Sequence, residues 1–389
     1  MKKQILFLCS DMGIGGFQKS LISLLQCFDY NKYDVDLLLF DPSGIFMDVI
    51  PDEVNVIAPM IEPDYFKSCK TAVKAMLNRG RIFYAVIRAL SGVLWCFDKG
   101  CGAAFMIKAV PELKKHYDVA IDYNGQYILY YMIDKINADK KITYFHSDYK
   151  KWRFYERADR KYYKSVNAIV TVSDMCVQSM KEIFPEYADK VFCIENINSE
   201  KTVSIFEINS NTFTDNFDGI RIVSVGRVCR SKGFDLAIEA LRRLIDNGYY
   251  VRWYEVGPIE DIVYCTELIT KYSLQNEMVL LGATNNPYDY MRNSDIIVHP
   301  SRFEGKAVAV EEAKILHKPI VATNFSTVYN QIDNERTGLI VEMSAEGVYK
   351  GIKRLIDDVD LRNKIIEIQK KECTGNEDEV LKLYRLIEG

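Results

Sequence analysis

The run Asp295-Ile296-Ile297-Val298-His299-Pro300, followed by Ser301-Arg302-Phe303-Glu304-Gly305-Lys306 and then Ala307-Val308-Ala309-Val310-Glu311-Glu312, decides the fold. A short apolar run stopped by proline reads as a buried strand, and Ala307 to His317 keeps the spacing of a helix. This strand-loop-helix order puts Glu304 and Gly305 at the carboxyl end of a strand, where open α/β sheets bind their ligands. Glu312 stands four residues from both Val308 and Leu316, which turns its carboxylate toward the apolar face of the helix. A buried acid there requires a partner. Either the two acids serve a ligand, or Glu304 is a surface loop residue and Glu312 pairs with a neighbouring Lys or Arg.

The same alternation runs through the chain and predicts parallel strands joined by helices. In the first half the apolar runs are Ile5 to Ser10, Val35 to Phe40, Val54 to Ala58, Val119 to Asn124, Ile142 to His146, Ala168 to Ser173 and Val191 to Glu195. In the second they are Ile220 to Gly226, Val251 to Gly257, Met278 to Gly282, Ile296 to Pro300, Ile320 to Thr323 and Leu339 to Glu342. At 389 residues the chain exceeds one ordinary core. The reading is two Rossmann-like domains, 1–198 and 220–373, joined by a linker at 199–219 rich in Asn, Ser and Thr and ending in Asp218-Gly219. A helix within 374–389 is expected to cross back to the first domain.

Hydrophobic residues at 48% and charged residues at 27% describe a globular protein and exclude disorder. A net charge of -4 argues against a general nucleic-acid binder. Between Lys67 and Lys115, however, ten basic residues face two acidic ones, a net of +8. That stretch holds Ile82-Phe83-Tyr84-Ala85-Val86-Ile87-Arg88-Ala89-Leu90 and Val93-Leu94-Trp95-Cys96-Phe97, interrupted by Arg88 and too short to span a bilayer. It fits either peripheral contact with an anionic membrane or a pair of core helices with solvated ends. The ten cysteines form no C-x-x-C pair, and Met1-Lys2-Lys3-Gln4 leads straight into a strand, so a reducing cytoplasm, at or away from the inner membrane face, is expected.

Further polar residues gather at predicted strand ends. After the first strand, Gly13-Ile14-Gly15-Gly16 precedes a helix, a turn that seats anions or simply packs tightly. Gln18 stands where a dinucleotide fingerprint needs a small residue, which weakens NAD binding. In the second half, Gly226-Arg227-Val228-Cys229-Arg230-Ser231-Lys232-Gly233 offers a guanidinium fork and a point-charge ammonium for one anion. His146 ends Phe145-His146-Ser147-Asp148-Tyr149, and Asp122 and Asn124 sit where an acceptor or a turn would use them. Asp34-Val35-Asp36 and Asp358-Val359-Asp360 lie away from the strand tips, so no metal is assigned.

With these residues in view, the chain resembles the family 4 glycosyltransferases, retaining enzymes of the GT-B fold, in which two Rossmann-like domains face a cleft. The resemblance rests on Gly15-Gly16, on His146, on the Gly226-Arg227 to Lys232-Gly233 loop and on the paired acids Glu304 and Glu312. It implies a nucleotide sugar held mostly by the second domain: Glu304 at the sugar hydroxyls, Glu312 at the ribose, Arg227 and Lys232 at the diphosphate. The amides of Gly305, Lys306, Ala307, Val308 and Gly16 would complete the phosphate cradle, with Gly15 in the same turn and the base near Gly257 and Leu281. His146 would assist at the sugar, and the departing diphosphate would help deprotonate the acceptor. Lys306-Ala307 departs from the commoner aromatic or aliphatic residue followed by proline, and resembles a branch tied to bacterial surface polysaccharides. Val256-Gly257-Pro258 keeps only part of a Gly-x-Gly turn.

The implied activity is metal-independent, retaining transfer of a sugar, UDP-linked, to a lipid-linked or capsular glycan, with no cofactor. A nucleotide-sugar 2-epimerase on the same scaffold and a non-catalytic partner subunit are the competing readings.

Overall fold

A computed structural model describes residues 2–13, 15–58, 61–151, 153–205, 212–284 and 286–389. Two compact units divide the chain. The first comprises Met1–Ile197 with Asp378–Gly389, the second Asn198–Glu377. Of the Asn/Ser/Thr-rich stretch between the sheets, Glu200–Ile205 is helical, while Ser210 and Asn211 lie outside the described residues, as does Ile14 of the first glycine turn.

The first unit holds seven strands: β1 (Lys3–Cys9), β2 (Tyr33–Leu39), β3 (Val54–Ile57), β4 (Leu113–Asp122), β5 (Ile136–Phe145), β6 (Ala168–Thr171) and β7 (Val191–Cys193). They pair in parallel in the order β3-β2-β1-β4-β5-β6-β7. The second unit adds β8 (Ile220–Val225), β9 (Val251–Val256), β10 (Met278–Gly282), β11 (Ile296–His299), β12 (Ile320–Thr323) and β13 (Leu339–Val341), parallel in the order β10-β9-β8-β11-β12-β13. Both orders reverse direction beside the first strand, between β1 and β4 and between β8 and β11. At such a switch the connections leave on opposite faces and open a crevice beyond the strand tips.

Parallel strands are covered on both faces, which is why the apolar runs are nearly continuous. All four residues of β11 are buried, and Ile297 pairs with Val223 of β8 on one side and Ile320 of β12 on the other. Trp253 of β9 is fully buried in the core. Its indole Nε1 donates to Ser224 Oγ at 3.0 Å, and that hydroxyl donates to the Val298 carbonyl at 2.8 Å. This polar thread ties β9, β8 and β11 together below the switch, where a buried indole N–H without an acceptor would cost about 1–3 kcal/mol.

In the first unit, the closing helix Val380–Glu388 packs on the sheet's amino end. The Asp29 amide donates to Tyr384 Oη at 2.7 Å, Tyr33 Oη donates to Glu388 at 2.8 Å, and Lys140 Nζ reaches the Leu386 carbonyl at 2.9 Å. A lysine on the last carbonyls of a helix also answers its negative dipole end.

The basic stretch 67–115 forms the helices Cys69–Asn78, Ile82–Phe97 and Lys99–Ile107, so one helix covers both apolar runs, and they do not form a pair of helices. No helix among the described residues is long and apolar enough to cross a membrane.

Candidate functional site at a strand-order switch

In the second unit, the loops after β8 and β11 are stitched together. The Arg302 amide donates to the Ser231 carbonyl at 3.0 Å, its guanidinium reaches the Arg230 carbonyl at 2.5 Å, and a bidentate pair joins it to Asp235 at 2.8 and 2.7 Å. The short 3-10 turn Arg230–Lys232 ends at Gly233, whose φ of +79° is a left-handed conformation natural to glycine. A Cβ there would also overlap the Pro300 carbonyl. Close approach of the two loops therefore depends on a residue with no side chain.

This stitching brings Lys232 and Glu304 together across 72 residues of sequence, with Nζ 2.5 Å from Oε1. The same oxygen lies 3.0 Å from His299 Nε2, and because a carboxylate only accepts, the ring nitrogen must be the donor. The Glu304 side chain is only 11% exposed. Burial pushes its carboxyl upward, yet the His299 hydrogen bond and the Lys232 charge outweigh burial and hold it down at about 2. The result is a fixed carboxylate at the strand tips, flanked by a cation. Sequence reasoning missed His299, which ends the apolar run of β11.

The other acid has a different surrounding. Glu312 is 2% exposed on the helix Val308–Ile315, and its Oε1 accepts from Tyr288 Oη at 2.8 Å. One partner is thus a tyrosine from another connection. Lys314 on the same helix pairs with Glu311 at 2.8 Å. Gln331 brackets the start of the helix: its Oε1 accepts the Ala307 amide at 2.9 Å and its Nε2 donates to the Ala307 carbonyl at 3.0 Å. The Ala307 amide is therefore committed within the protein and is not available to an anion, which leaves the expected cradle to Gly305, Lys306 and Val308.

Arg227 and Lys232 pair with different acids. Its side chain is exposed and its guanidinium pairs with Glu260 at 2.5 Å. Gly257 has a φ of +149°, and a Cβ there would overlap the Gly226 carbonyl, so the turns after β8 and β9 are in backbone contact. The Gly257 amide donates to the Gly282 carbonyl at 2.8 Å, which places Leu281 and Gly257 at adjacent strand ends.

The first unit has its own switch between β1 and β4. Asp122 is fully buried, with Oδ1 accepting the amides of Asn124 and Gly125 at 2.9 and 2.8 Å and Oδ2 accepting Thr143 Oγ1 at 2.6 Å. Burial outweighs these bonds and raises its carboxyl to about 6. Asp122 therefore shapes the turn, while Asn124 Oδ1 is buried with no hydrogen-bond partner among the described residues. In the glycine turn after β1, Asp11 Oδ1 takes the Gly13 amide at 2.8 Å and Gln18 Nε2 at 3.1 Å. A carboxylate thus occupies part of what the sequence reads as an anion seat. Gly15 precedes the helix Gly16–Gln26, and a Cβ on it would overlap the Gln18 side chain.

His146 follows β5 and packs against Tyr144, Tyr123 and Phe17, with ring centroids 5.5, 4.7 and 5.9 Å away. Its Nδ1 is 2.9 Å from Asn196 Oδ1 and its Nε2 is 3.1 Å from the Tyr123 carbonyl. Burial pulls the imidazole down to about 4, so the ring is neutral near pH 7. A neutral ring has one N–H, which goes to the Tyr123 carbonyl; the Asn196 amide must then be turned to donate to Nδ1. Among the described residues no cluster of three or more His, Cys, Asp or Glu side chains is placed to hold a metal ion.

Residues 207–372 match the family model described as Glycosyl transferases group 1. A capsular polysaccharide biosynthesis glycosyltransferase, CapM, of Staphylococcus aureus is 27% identical over 167 residues, 41% of this chain and 44% of that protein. An N-acetylgalactosaminyltransferase acting on a diphospho-undecaprenol substrate in Campylobacter jejuni is 31% identical over 143 residues, 36% of this chain and 38% of that protein. The match thus spans less than half of either relative. Among solved structures, Anabaena HepE in complex with UDP and glucose superimposes with a TM-score of 0.71 at 14% identity, covering 99% of both chains. Two parallel-sheet α/β domains of this kind are the GT-B fold.

Proposed function

Taking residues 207–372 as a member of the glycosyl transferases group 1 family, we propose that this protein is a retaining, metal-independent glycosyltransferase that moves a sugar from a UDP-linked donor to a lipid-linked or capsular glycan. The observation that carries the reading is the Lys232–Glu304–His299 cluster at the switch between β8 and β11. A carboxylate held ionised accepts hydrogen bonds from sugar hydroxyls, and an ammonium beside it neutralises the diphosphate whose charge grows as the glycosidic bond breaks. Glu312 is assigned to the ribose, the amides of Gly305, Lys306 and Val308 to phosphate oxygens, and Gly257 and Leu281 to the base. Arg227 joins the diphosphate by exchanging Glu260 for phosphate, a swap its exposure permits. His146 acts at the reacting sugar, which requires its N–H to leave the Tyr123 carbonyl. Gly15 and Gly16 supply backbone to the phosphates, and Asn124 faces the acceptor.

The test is a thermal-shift screen of the purified chain against UDP, GDP, ADP and their sugars, followed by product analysis. A ligand at a hundred times its dissociation constant stabilises the native state by about 2.7 kcal/mol, a shift of several degrees. UDP and a UDP-sugar are expected to give that shift, and a glycoside with retained anomeric configuration is the expected product. Glu304→Ala is expected to cut transfer by roughly two to three orders of magnitude in a protein that still folds. A free epimerised sugar as product would replace this assignment with the 2-epimerase. Near-normal transfer by Glu304→Ala would overturn the role given to the cluster.

A further inference from the structure

Among the described residues, one face of the helix Ile82–Phe97 is left uncovered. Ala85, Arg88 and Ser91 are buried, whereas Phe83, Val86, Leu90, Val93 and Phe97, spaced by three and four along the opposite side, are 64%, 50%, 49%, 58% and 87% exposed. Leu77 on the adjoining helix is 53% exposed. Between the two helices runs a groove of about 580 Å³ walled by Val73, Leu77, Ala89 and Val93, with Lys70 and Lys74 at its edge. A contiguous apolar stripe of this extent marks a binding surface.

Charge identifies the occupant. The positive excess of the region is smaller in space than in sequence, because Lys67 and Arg79 both pair with Asp64 at 2.7 Å and Arg81 pairs with Glu62 at 2.7 Å. Lys70 and Lys74 make no ion pair among the described residues, and neither helix of the groove carries an acid. Residues 69–107 hold six basic side chains and one acidic one, a net of +5 in a chain whose total is -4. Such a face repels its own copy and attracts a negative surface. We propose that it seats the protein on an anionic bilayer, acyl chains meeting the Phe83–Phe97 stripe and the groove, and lipid phosphates meeting Lys70 and Lys74. Amphipathic helices lie in the interface in this way, apolar side down. The inference extends the acceptor half of the proposed function, and its test reads vesicle binding without turnover, so either can fail alone.

The experiment is co-sedimentation of the full chain with vesicles of phosphatidylcholine alone or mixed equally with phosphatidylglycerol. Binding to the mixed vesicles that weakens with salt is expected, with little binding to the neutral ones. Each lysine near an anionic surface is worth about a fivefold change in partitioning, so Lys70→Gln with Lys74→Gln is expected to weaken binding roughly 25-fold. Phe83→Ser with Val93→Ser is expected to weaken it about tenfold or more. All four side chains are exposed, so the melting temperature should stay put, and that is checked in parallel. Equal binding to both vesicles, or unchanged binding by both double variants, would overturn the proposal. So would sedimentation equilibrium showing a dimer that Phe83→Ser with Val93→Ser dissociates, since a second copy would then cover the face.

Discussion

Replacing Lys232 by Met keeps most of the aliphatic stem and removes the charge beside Glu304, so its effect should depend on pH. The Glu304 carboxyl is held at about 2, below its ordinary 4.5. Its folded value is depressed, so the stability it contributes is fully present above about 4.5 and is lost as the pH falls through about 2. The difference of two and a half units corresponds to about 3 kcal/mol at pH 7. Were the ion pair the whole cause, the gap between wild type and Lys232→Met would be about 3 kcal/mol at pH 7 and about 2 kcal/mol near pH 3.5. His299 remains in place and shares the effect, so both figures are ceilings. A loss of this size leaves a domain of ordinary stability folded at 25 °C. Urea unfolding at several pH values, followed by tryptophan fluorescence with Trp95 and Trp152 replaced by Phe so that Trp253 alone reports, measures the gap. A gap that stays constant from pH 7 to pH 3.5 would refute the reasoning, because it would mean that the lysine stem, and not its charge, supports the site.

His146 should titrate far below the usual histidine range. Its depressed value means that the stability it contributes is present above 6.5 and is lost as the pH falls toward about 4. In a nitrogen-15 NMR titration its ring should stay neutral at pH 5 with a midpoint near 4, and a midpoint near 6.5 would contradict the buried neutral ring. Gly233→Ala combines a left-handed φ of +79° with overlap on the Pro300 carbonyl. Strain and overpacking together should cost about 3 kcal/mol or more and pull Lys232 away from Glu304. A wild-type melting temperature in that variant would show that the two loops are not held together as described.

All thirteen strands were legible in the sequence, because a strand covered on both faces must be almost continuously apolar, and that pattern survives without knowledge of neighbours. Where a strand runs past its helices, the pattern fails. β4 begins at Leu113 and β5 at Ile136, each six residues before its apolar run, and the added parts carry Lys114, Lys115 and His116 or Asn137, Asp139 and Lys140. These ends pair with each other around a register shift and face solvent, so polar side chains cost nothing there. The acids and cations of the site were legible as residue types at strand tips. Their pairings were not: Glu260 lies 33 residues from Arg227, Tyr288 lies 24 from Glu312, and only folding selects among the available partners. His299 was hidden for the opposite reason, since a histidine at the end of an apolar run reads as part of the strand.

The bonding capacity of the cluster bears on what it can grip. Lys232 has three N–H donors, and one is spent on Glu304 Oε1. That oxygen receives both the lysine and His299, so Oε2 remains to accept from a ligand. An ionised carboxylate only accepts, and therefore favours a hydroxyl over an anion. The ammonium only donates, and favours the reverse. Joined by one hydrogen bond, the two groups form a site with hydroxyl and phosphate preferences a few ångströms apart, and neither needs to break the bond to the other. A free sugar satisfies the carboxylate alone and a free phosphate the ammonium alone. A sugar joined to a diphosphate satisfies both, and it gains most from the ammonium when negative charge builds on the leaving oxygen.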